Sequence, residues 1–325
     1  MNLSYTSIEI CAGAGGQAIG LEQAGFDHLA LVEIEPLACD TLKKNRPQWN
    51  VIQTDLKDFS AAKYKGVDLL AGGVPCPPFS IAGKQLGQLD DRDLFPEAIR
   101  LAKECNPKAI MLENVRGLLG AKFSDYRDKI ISQLSELGYA CEWKVFNASD
   151  YGVSQLRPRA VLVAIKKRYF PYFKWPNKLK HKPVSVGELL YDEMSSLGWG
   201  NVENWKLQAS GIAPTLVGGS KKHGGADLGP TRAKQAWAVL GVDGKGLANQ
   251  PPVNGFMAMP KLTLKMTALV QGFPANWEFV GKKTPAYRQV GNAFPPPVAK
   301  AIGKSIKKAI NEYDNKAKKR SRLKS

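Results

Sequence analysis

Residues 8–20 read IEICAGAGGQAIG, an apolar strand that runs into a glycine-rich turn and then into a helix. Gly13, Gly15 and Ala18 fit the G-x-G-x-x-A form of the dinucleotide-binding fingerprint. Glycine lets a ligand approach the backbone, and the start of a helix favours negative groups. Glu33 ends the next apolar strand, where a carboxylate can bind ribose hydroxyls. This pattern predicts a nucleotide-type cofactor, and by itself it does not separate a nicotinamide enzyme from a methyl-transfer enzyme.

The alternation of strand and helix continues to about residue 165. Apolar runs such as HLALVEI, VDLLAGG, AIMLENV and AVLVAIKK are separated by helical stretches such as PLACDTLKKN and YRDKIISQLSELG. This alternation predicts a mostly parallel sheet covered by helices. After about Trp175, Gly, Pro, Lys and Trp become common, so we expect a second, smaller and loop-rich domain. Near the end, the spacing predicts an amphipathic helix with an apolar face of Val298, Ile302, Ile306 and Ile310.

Charge is distributed unevenly along the 325 residues. Residues 1–165 carry 18 basic and 20 acidic side chains, whereas residues 166–325 carry 28 basic and 9 acidic ones, within a total net charge of +17. A cationic surface of this size attracts polyanions, which indicates a nucleic acid as partner. The five cysteines are widely spaced and the three histidines lie in no metal-ligand pattern, so we expect free thiols and no metal. No long apolar run or signal peptide is present, and we therefore expect a cytoplasmic protein.

Cys76 and Glu113 are the strongest candidates for chemistry. Cys76 lies between two prolines in GGVPCPPFS, directly after the strand VDLLAGG, and Glu113 ends the next strand in LENV. Ligands of open α/β sheets bind at the carboxyl ends of the strands, so both side chains are expected at one pocket. A dry pocket would raise the pKa of the Glu113 carboxyl group. A thiol and a carboxylic acid in one pocket suit a heteroaromatic substrate.

GGVPCPPFS, LENV, QLRPR at 155–159 and QVGNAFPPP at 289–297, in this order behind the glycine-rich turn, resemble the bacterial DNA (cytosine-5)-methyltransferase family. The resemblance implies a Rossmann-like, doubly wound, S-adenosylmethionine-dependent methyltransferase domain with a smaller target-recognition domain. We place the catalytic domain at 1–175, the recognition domain at 176–284, and a segment that returns to the catalytic domain, with a basic tail, at 285–325. S-adenosylmethionine is the implied cofactor, and S-adenosylhomocysteine is the product.

The resemblance also assigns roles to single residues. The Cys76 thiolate is expected to add to C6 of a flipped cytosine, while protonated Glu113 bonds to N3. Arg159 is expected to hold the base and steady Glu113, and Arg157 to anchor a phosphate. The residues expected to bind the cofactor are Cys11, Ala12, Gly13, Gly15, Gly16, Glu33, Ile34, Asp55, Leu56, Gly73, Pro75, Asn292 and Phe294. The residues expected to contact DNA are Ser80, Gln85, Thr215, Leu216, Lys221, Lys222 and Arg232.

The sequence departs from the family pattern at three places. Cys11 stands where the family usually has an aromatic residue against the cofactor, and Pro77 replaces the usual Gln after the catalytic cysteine. The helix in LTLKMTALVQGFP lacks the usual Arg and Glu, so we expect it to support the recognition domain by packing instead of by an ion pair.

The expected partner is double-stranded DNA, with a monomeric enzyme and no membrane. A restriction endonuclease that acts on the same site without a stable complex is the further partner implied. A tRNA cytosine-5 methyltransferase is the alternative within the same chemistry. A nicotinamide-dependent oxidoreductase is the alternative from another class, but it leaves PCPPFS, LENV and QLRPR without a role, and a non-catalytic DNA-binding module leaves Cys76 and Glu113 unexplained.

Overall fold

The computed structural model describes residues 5–75, 93–219 and 225–322. Within them, seven strands form one sheet: β1 (Tyr5–Ile10), β2 (Phe26–Glu33), β3 (Val51–Gln53), β4 (Leu69–Gly72), β5 (Ala109–Val115), β6 (Tyr139–Asn147) and β7 (Pro158–Lys166). Their order in space is β3-β2-β1-β4-β5-β7-β6. Strands β1 to β5 run parallel, and β7 is antiparallel to both of its neighbours. The predicted Rossmann-like, mostly parallel sheet is confirmed.

Ten α-helices accompany the sheet in the described part of the chain. They are α1 (Gly16–Ala24), α2 (Pro36–Asn45), α3 (Phe95–Cys105), α4 (Ser124–Glu136), α5 (Val186–Ser195), α6 (Val202–Gln208), α7 (Thr231–Val239), α8 (Leu264–Gln271), α9 (Lys283–Asn292) and α10 (Pro296–Arg322). Local signals set several of the ends. Gly25 ends α1 in the left-handed conformation, and Ser185 and Glu188 form a reciprocal capping box at the start of α5. No helix in these ranges combines the length and apolarity needed to cross a bilayer.

Successive residues of each central strand point to opposite faces of the sheet, and helices cover both faces, so both sets of side chains are buried. On one face, Leu70 and Ile110 pack with α3 and α4. On the other face, Leu69 and Met111 pack against α1 and α10. The predicted apolar stripe of α10 is confirmed, since Val298, Ile302, Ile306 and Ile310 are all buried there. Each such aliphatic side chain stabilises the fold by roughly 1.5–3 kcal/mol.

Strand β6 was not among the strands that the apolar runs predicted. It is an edge strand that pairs only with β7, and most of its residues are partly or fully exposed. An edge strand of this kind lacks the continuous apolar run that marks a buried parallel strand. Its sequence YACEWKVFN therefore gave a weak signal.

The later part of the chain has an apolar cluster of its own, formed by α5 to α8 and the loops around them. Trp199, Trp205 and Trp237 lie in this cluster with Met266 and Val270 of α8. The packing of α8 is as expected from LTLKMTALVQGFP. The helix also makes an ion pair, between Lys265 and Glu193 of α5, which that expectation had excluded.

Residues 273–293 pack on the first part of the molecule, in a further cluster with α1 and α2. Phe273 and Trp277 contact Ile19 and Leu42 there, and Trp277 Nε1 donates to the Ala14 carbonyl oxygen at 3.1 Å. The chain has thus already reached the first part of the molecule at residue 273, before the boundary expected at 284.

Candidate active site

A cavity of about 1360 Å³ opens at the carboxyl edge of the parallel strands. Residues that follow β1, β2, β4 and β5 line it, together with residues of α9 and the segment after it. The topology brings these strand ends to one edge, where open α/β sheets bind their ligands. All of the residues expected to bind the cofactor line this cavity except Gly15.

The glycine-rich turn forms one wall of the cavity. Gly13 and Gly15 have φ angles of 54° and 90°, which favour glycine. A Cβ on Gly16 would lie 2.4 Å from the Phe294 carbonyl oxygen, and one on Gly15 would lie 2.8 Å from Leu42 Cδ2. Gly15 and Gly16 therefore serve packing, while Gly13, whose Cβ would meet nothing within 4 Å, leaves the wall of the cavity free of a side chain.

Glu33 lies at the end of β2 and is buried. Its Oε2 accepts from Gly13 N at 2.6 Å, and its Oε1 accepts from Ile34 N and Glu35 N, both at 2.9 Å. Burial raises the pKa of this carboxyl group, although the three N–H donors act in the opposite sense. A carboxylate has about four acceptor positions, so three are already used. Glu33 therefore retains one conventional lone pair for a ligand, whereas accepting hydrogen bonds from both ribose hydroxyls would need two.

The residues that follow β2 and β3 add apolar side chains and one acid to the lining of the cavity. Ile34 is 54 % exposed and lines the cavity with Leu37 and Leu56. Asp55 also lines the cavity, and its Oδ1 accepts from Lys57 N at 3.0 Å, which closes a local turn. An apolar lining with a few polar groups is typical of small-molecule sites.

Cys11, which stands where the family usually has an aromatic residue, also lines the cavity. It has a φ of 50°, which is uncommon for a residue other than glycine. Burial raises the pKa of its thiol, and the nearby carboxyl groups of Glu33 and Asp55 raise it further. The thiol is therefore uncharged at neutral pH and offers the cavity an apolar surface.

Glu113 and Arg159 form an ion pair in the same cavity. Arg159 Nε donates to Glu113 Oε1 at 2.8 Å, and both side chains are largely buried. Residue 159 reaches this place because it lies opposite Val115 in the antiparallel pairing of β5 with β7. Burial raises the pKa of the Glu113 carboxyl group, and Arg159 opposes the shift. The ion pair can hold the Glu113 carboxyl group in a fixed orientation, and its burial favours the protonated form.

Asn114 positions the segment that leads to Cys76. Its Nδ2 donates to the Val74 carbonyl oxygen at 2.8 Å, and the side chain is buried. Gly73 lies beside Glu113, since a Cβ on Gly73 would be 3.3 Å from Glu113 Oε2. Cys76, Ser80 and Gln85 lie outside the described residues, as do Lys221 and Lys222.

The structure contradicts the phosphate role of Arg157. The side chain is 0 % exposed, and its guanidinium donates to the carbonyl oxygens of Leu216 and Gly291, both at 2.7 Å, and of Ala293 at 3.0 Å. A group enclosed in this way does not reach a phosphate or the base. Arg157 joins the start of β7 to the segments around residues 216 and 292, so its prediction as a catalytic residue is wrong.

Leu216 as a DNA contact is also wrong, because its side chain is 1 % exposed and lies in the cluster of α5 to α8. Its backbone is held at two points: Leu216 N donates to Gln155 Oε1 at 2.9 Å, and its carbonyl oxygen accepts from Arg157. Thr215 Oγ1 donates to the Leu156 carbonyl oxygen. Thr215 and Leu216 thus hold the later part of the chain against residues 155–157, the segment that precedes β7.

Asn292 and Phe294 lie where the chain returns to the cavity. Asn292 is exposed and its Nδ2 donates to the Gly219 carbonyl oxygen at 3.3 Å, whereas Phe294 is buried. Arg232 is exposed at the start of α7. Residues lining the cavity that the sequence did not single out include Glu9, Gln17, Lys122 and Arg288. Glu9 and Gln17 lie close in sequence to the glycines of the fingerprint, and this proximity could have marked them as cavity residues.

The fold and this cavity define a Rossmann-like enzyme with a nucleotide-type cofactor site and a buried carboxyl group beside it. A family model described as C-5 cytosine-specific DNA methylase matches residues 5–308. The Type II methyltransferase M.NgoMIV of Neisseria gonorrhoeae is 57 % identical over 95 % of this chain and 99 % of its own length. The Type II methyltransferase M.NaeI of Lentzea aerocolonigenes is 56 % identical over 95 % of this chain and 76 % of its own.

Solved structures of lower identity share the fold. A DNA modification methyltransferase encoded within an E. coli prophage has a TM-score of 0.67 at 24 % identity, over 95 % of this chain and 100 % of that one. A DNMT2 mutant of Spodoptera frugiperda has a TM-score of 0.66 at 19 % identity, over 93 % and 99 %. The chain belongs to the C-5 cytosine-specific DNA methylase family, and it is a DNA (cytosine-5) methyltransferase.

Proposed function

We propose that this enzyme is the modification methyltransferase of a restriction-modification system, and that it methylates C5 of a flipped-out cytosine in duplex DNA through a covalent bond from Cys76. The carrying observation is the buried Glu113–Arg159 pair in the same cavity as the glycine-rich turn and Glu33. A cavity that holds a cofactor beside the glycine-rich turn and presents the buried acid Glu113 to a base is suited to alkylation of that base.

The cavity fits S-adenosylmethionine as the methyl donor. The glycine-rich turn leaves one wall free of side chains, Glu33 retains an acceptor position for a ribose hydroxyl, and Ile34 and Leu37 offer an apolar face for a purine. Asp55 lines the same cavity. When bound, this cofactor supplies an electrophilic methyl group on a sulfonium.

The chain's own residues activate the cytosine. We propose that the Cys76 thiolate forms a bond to C6, so that the electrons of the C5–C6 double bond become available at C5 for the new carbon–methyl bond. Protonated Glu113 bonds to N3 and draws electron density from the ring. The C5 proton then passes to water, the C5–C6 double bond forms again, and the bond between Cys76 and C6 breaks to release the thiolate. Arg159 keeps the Glu113 carboxyl group in place throughout.

DNA recognition is assigned to residues 176–284. The cationic charge of the later half supports this, as does the exposure of Arg232 at the start of α7. Thr215, Lys221 and Lys222 lie within the same range. Flipping the base costs a few kcal/mol of stacking and pairing, which these contacts have to supply.

We further propose a monomeric enzyme of the bacterial cytoplasm that shares its site with a restriction endonuclease without forming a stable complex.

The test is transfer of labelled methyl groups from S-adenosylmethionine to plasmid DNA and, separately, to tRNA. Label in DNA that disappears with Cys76→Ser supports the proposal, and bisulfite sequencing then identifies the modified cytosine. Label in tRNA alone would mean that the substrate is RNA and not DNA. A duplex that carries 5-fluorocytosine at the methylated position should give an adduct that survives denaturation. Absence of that adduct, with cofactor present, would overturn the covalent mechanism.

A further inference from the structure

Two stretches outside the segment assigned to DNA recognition carry basic side chains and no acidic ones. Residues 166–175 contain four Lys or Arg residues, and residues 315–325 contain six. The first stretch begins at the end of β7, and the second includes the last turns of α10. No described residue of either stretch lines the active-site cavity. Part of the positive charge of the later half therefore lies away from the site described above.

Aromatic side chains bring the two stretches together. Tyr313 of α10 lies edge-on to Tyr169, with ring centroids 4.9 Å apart, and to Tyr172, at 6.1 Å. Lys316 Nζ lies 4.7 Å from the centroid of the Tyr172 ring, and Arg168 Cζ lies 4.8 Å from that of Tyr169. Exposed cations of both stretches thus share one surface, which we call the α10 patch: Lys167, Arg168, Lys316, Lys319 and Arg320.

The α10 patch lies at the edge of the sheet opposite to the cavity. Strand β7 ends beside the first residues of β5 and β6, whereas the cavity is at the edge where β5 ends. Helix α10 begins just after the cavity residue Phe294 and runs for 27 residues, which is about 40 Å in an α-helix. Its last turns are therefore too far away to contact the target base or the phosphates beside it.

The acids of α10 are already paired with other cations. Glu312 pairs with Lys308 and Asp314 with Lys108, each at 3.7 Å. The three patch cations of α10, at 316, 319 and 320, recur at a spacing that places them on one face of the helix. Like charges so close together repel one another, and a polyanion bound across them relieves that repulsion.

The chemistry of the α10 patch favours duplex DNA over a lipid surface. A basic helix binds a membrane when it also offers an apolar face. The apolar face of α10, from Val298 to Ile310, is buried against the sheet, and residues 314–320 contain no apolar side chain larger than Ala317. The phosphates of a duplex repeat along its length and require only exposed cations. DNA is also the substrate of this enzyme, so a long duplex is present whenever the enzyme works.

We propose that the α10 patch binds the sugar–phosphate backbone of duplex DNA outside the target site and independently of sequence. This contact gives the enzyme a second attachment to a long DNA molecule, which raises the effective concentration of DNA at the cavity.

The experiment measures binding of the full chain to a duplex of about 40 A·T pairs, which contains no cytosine and therefore no target. Joint substitution of the three α10 cations, Lys316→Gln, Lys319→Gln and Arg320→Gln, should weaken binding at least about tenfold at about 0.1 M salt. The slope of log K against log salt should become shallower by about 2 to 3, since each lost phosphate contact contributes about 0.9. Lys167→Gln with Arg168→Gln should act in the same direction.

The matched control removes the same charge from exposed positions near α3, on the other face of the sheet, by Lys63→Gln, Lys65→Gln and Lys103→Gln. It should change the affinity by no more than about twofold, because charges beyond about 10 Å are screened at this salt. All substituted side chains are exposed, so the unfolding midpoint should not change. Equal weakening by the patch and control variants, or none by either, would show that the inference is wrong.

Methylation provides a second readout. A duplex of about 12 base pairs around the target that bisulfite sequencing identifies is roughly 40 Å long and cannot fill the cavity and reach the patch. Its single-turnover methylation by the α10 variant should be unchanged, whereas methylation of plasmid at limiting enzyme should slow. Slower reaction on the short duplex would mean that these cations act on the cavity, and weaker binding of an RNA duplex but not of the A·T duplex would identify RNA as the partner; either result overturns the inference.

Discussion

Arg157→Met tests whether this arginine holds the molecule together. In the structure its guanidinium serves three carbonyl oxygens from two distant segments. The Ala293 oxygen retains Gln271 Nε2 as a donor after the substitution, whereas the oxygens of Leu216 and Gly291 lose their guanidinium donors. A buried acceptor left unpaired costs about 1–3 kcal/mol, which gives about 2–6 kcal/mol for the two.

Part of this loss is offset, because burying a charge is itself unfavourable and burial lowers the pKa of Arg157 well below its usual value. We therefore expect the free energy of unfolding to fall by about 2–4 kcal/mol, the lower part of that range. Arg157→Lys should lose less, since an ammonium group still donates to some of the same oxygens.

The measurement is urea-induced unfolding followed by tryptophan fluorescence. Arg232→Met is the matched control, because Arg232 is exposed, and we expect a change within about 0.5 kcal/mol. A loss below 1 kcal/mol for Arg157→Met would refute the reasoning and would mean that the carbonyl oxygens find water or other donors.

Three further predictions follow from the same cavity. Glu113→Gln should reduce single-turnover methylation by about 10²- to 10⁴-fold while calorimetry shows S-adenosylhomocysteine affinity unchanged, and a reduction below tenfold would speak against a proton on Glu113. Gly16→Ala should lower the free energy of unfolding by about 1–3 kcal/mol, because its Cβ would lie 2.4 Å from a backbone oxygen; Gly200→Ala, with nothing within 4 Å, is the control, and equal losses in the two variants would contradict the packing argument. Burial raises the pKa of Glu9 in the folded protein well above its ordinary 4.5. Between 4.5 and the raised pKa, Glu9 is ionised in the unfolded chain but protonated in the folded protein, so the free energy of unfolding falls as pH rises through this range. Glu9→Gln removes this loss, so the midpoint of the variant minus that of the unmodified protein should grow with pH, and a difference independent of pH would be inconsistent with a buried, protonated Glu9.

The sequence by itself determined the features that depend on local periodicity and spacing. The glycine-rich turn, Glu33 at the end of β2 and the α10 stripe from Val298 to Ile310 follow from patterns within a few residues, and the structure has them where they were expected. The placement of Glu113 at the carboxyl edge also followed, because parallel strands bring their ends to one side of a sheet. The family followed from the order of the motifs.

Only the tertiary structure decided which polar side chains face ligand and which face protein. Arg157 and Arg159 are two residues apart, and both were predicted as catalytic residues. Arg157 is nevertheless enclosed by carbonyl oxygens from residues 216, 291 and 293, whereas Arg159 pairs with Glu113 in the cavity. The same holds for Leu216, which packs in a core, and for Glu9 and Gln17, whose buried side chains line the cavity. The physical reason is that these environments are built by segments far apart in the chain, so that burial and hydrogen bonding at each residue are set by packing that no local pattern records.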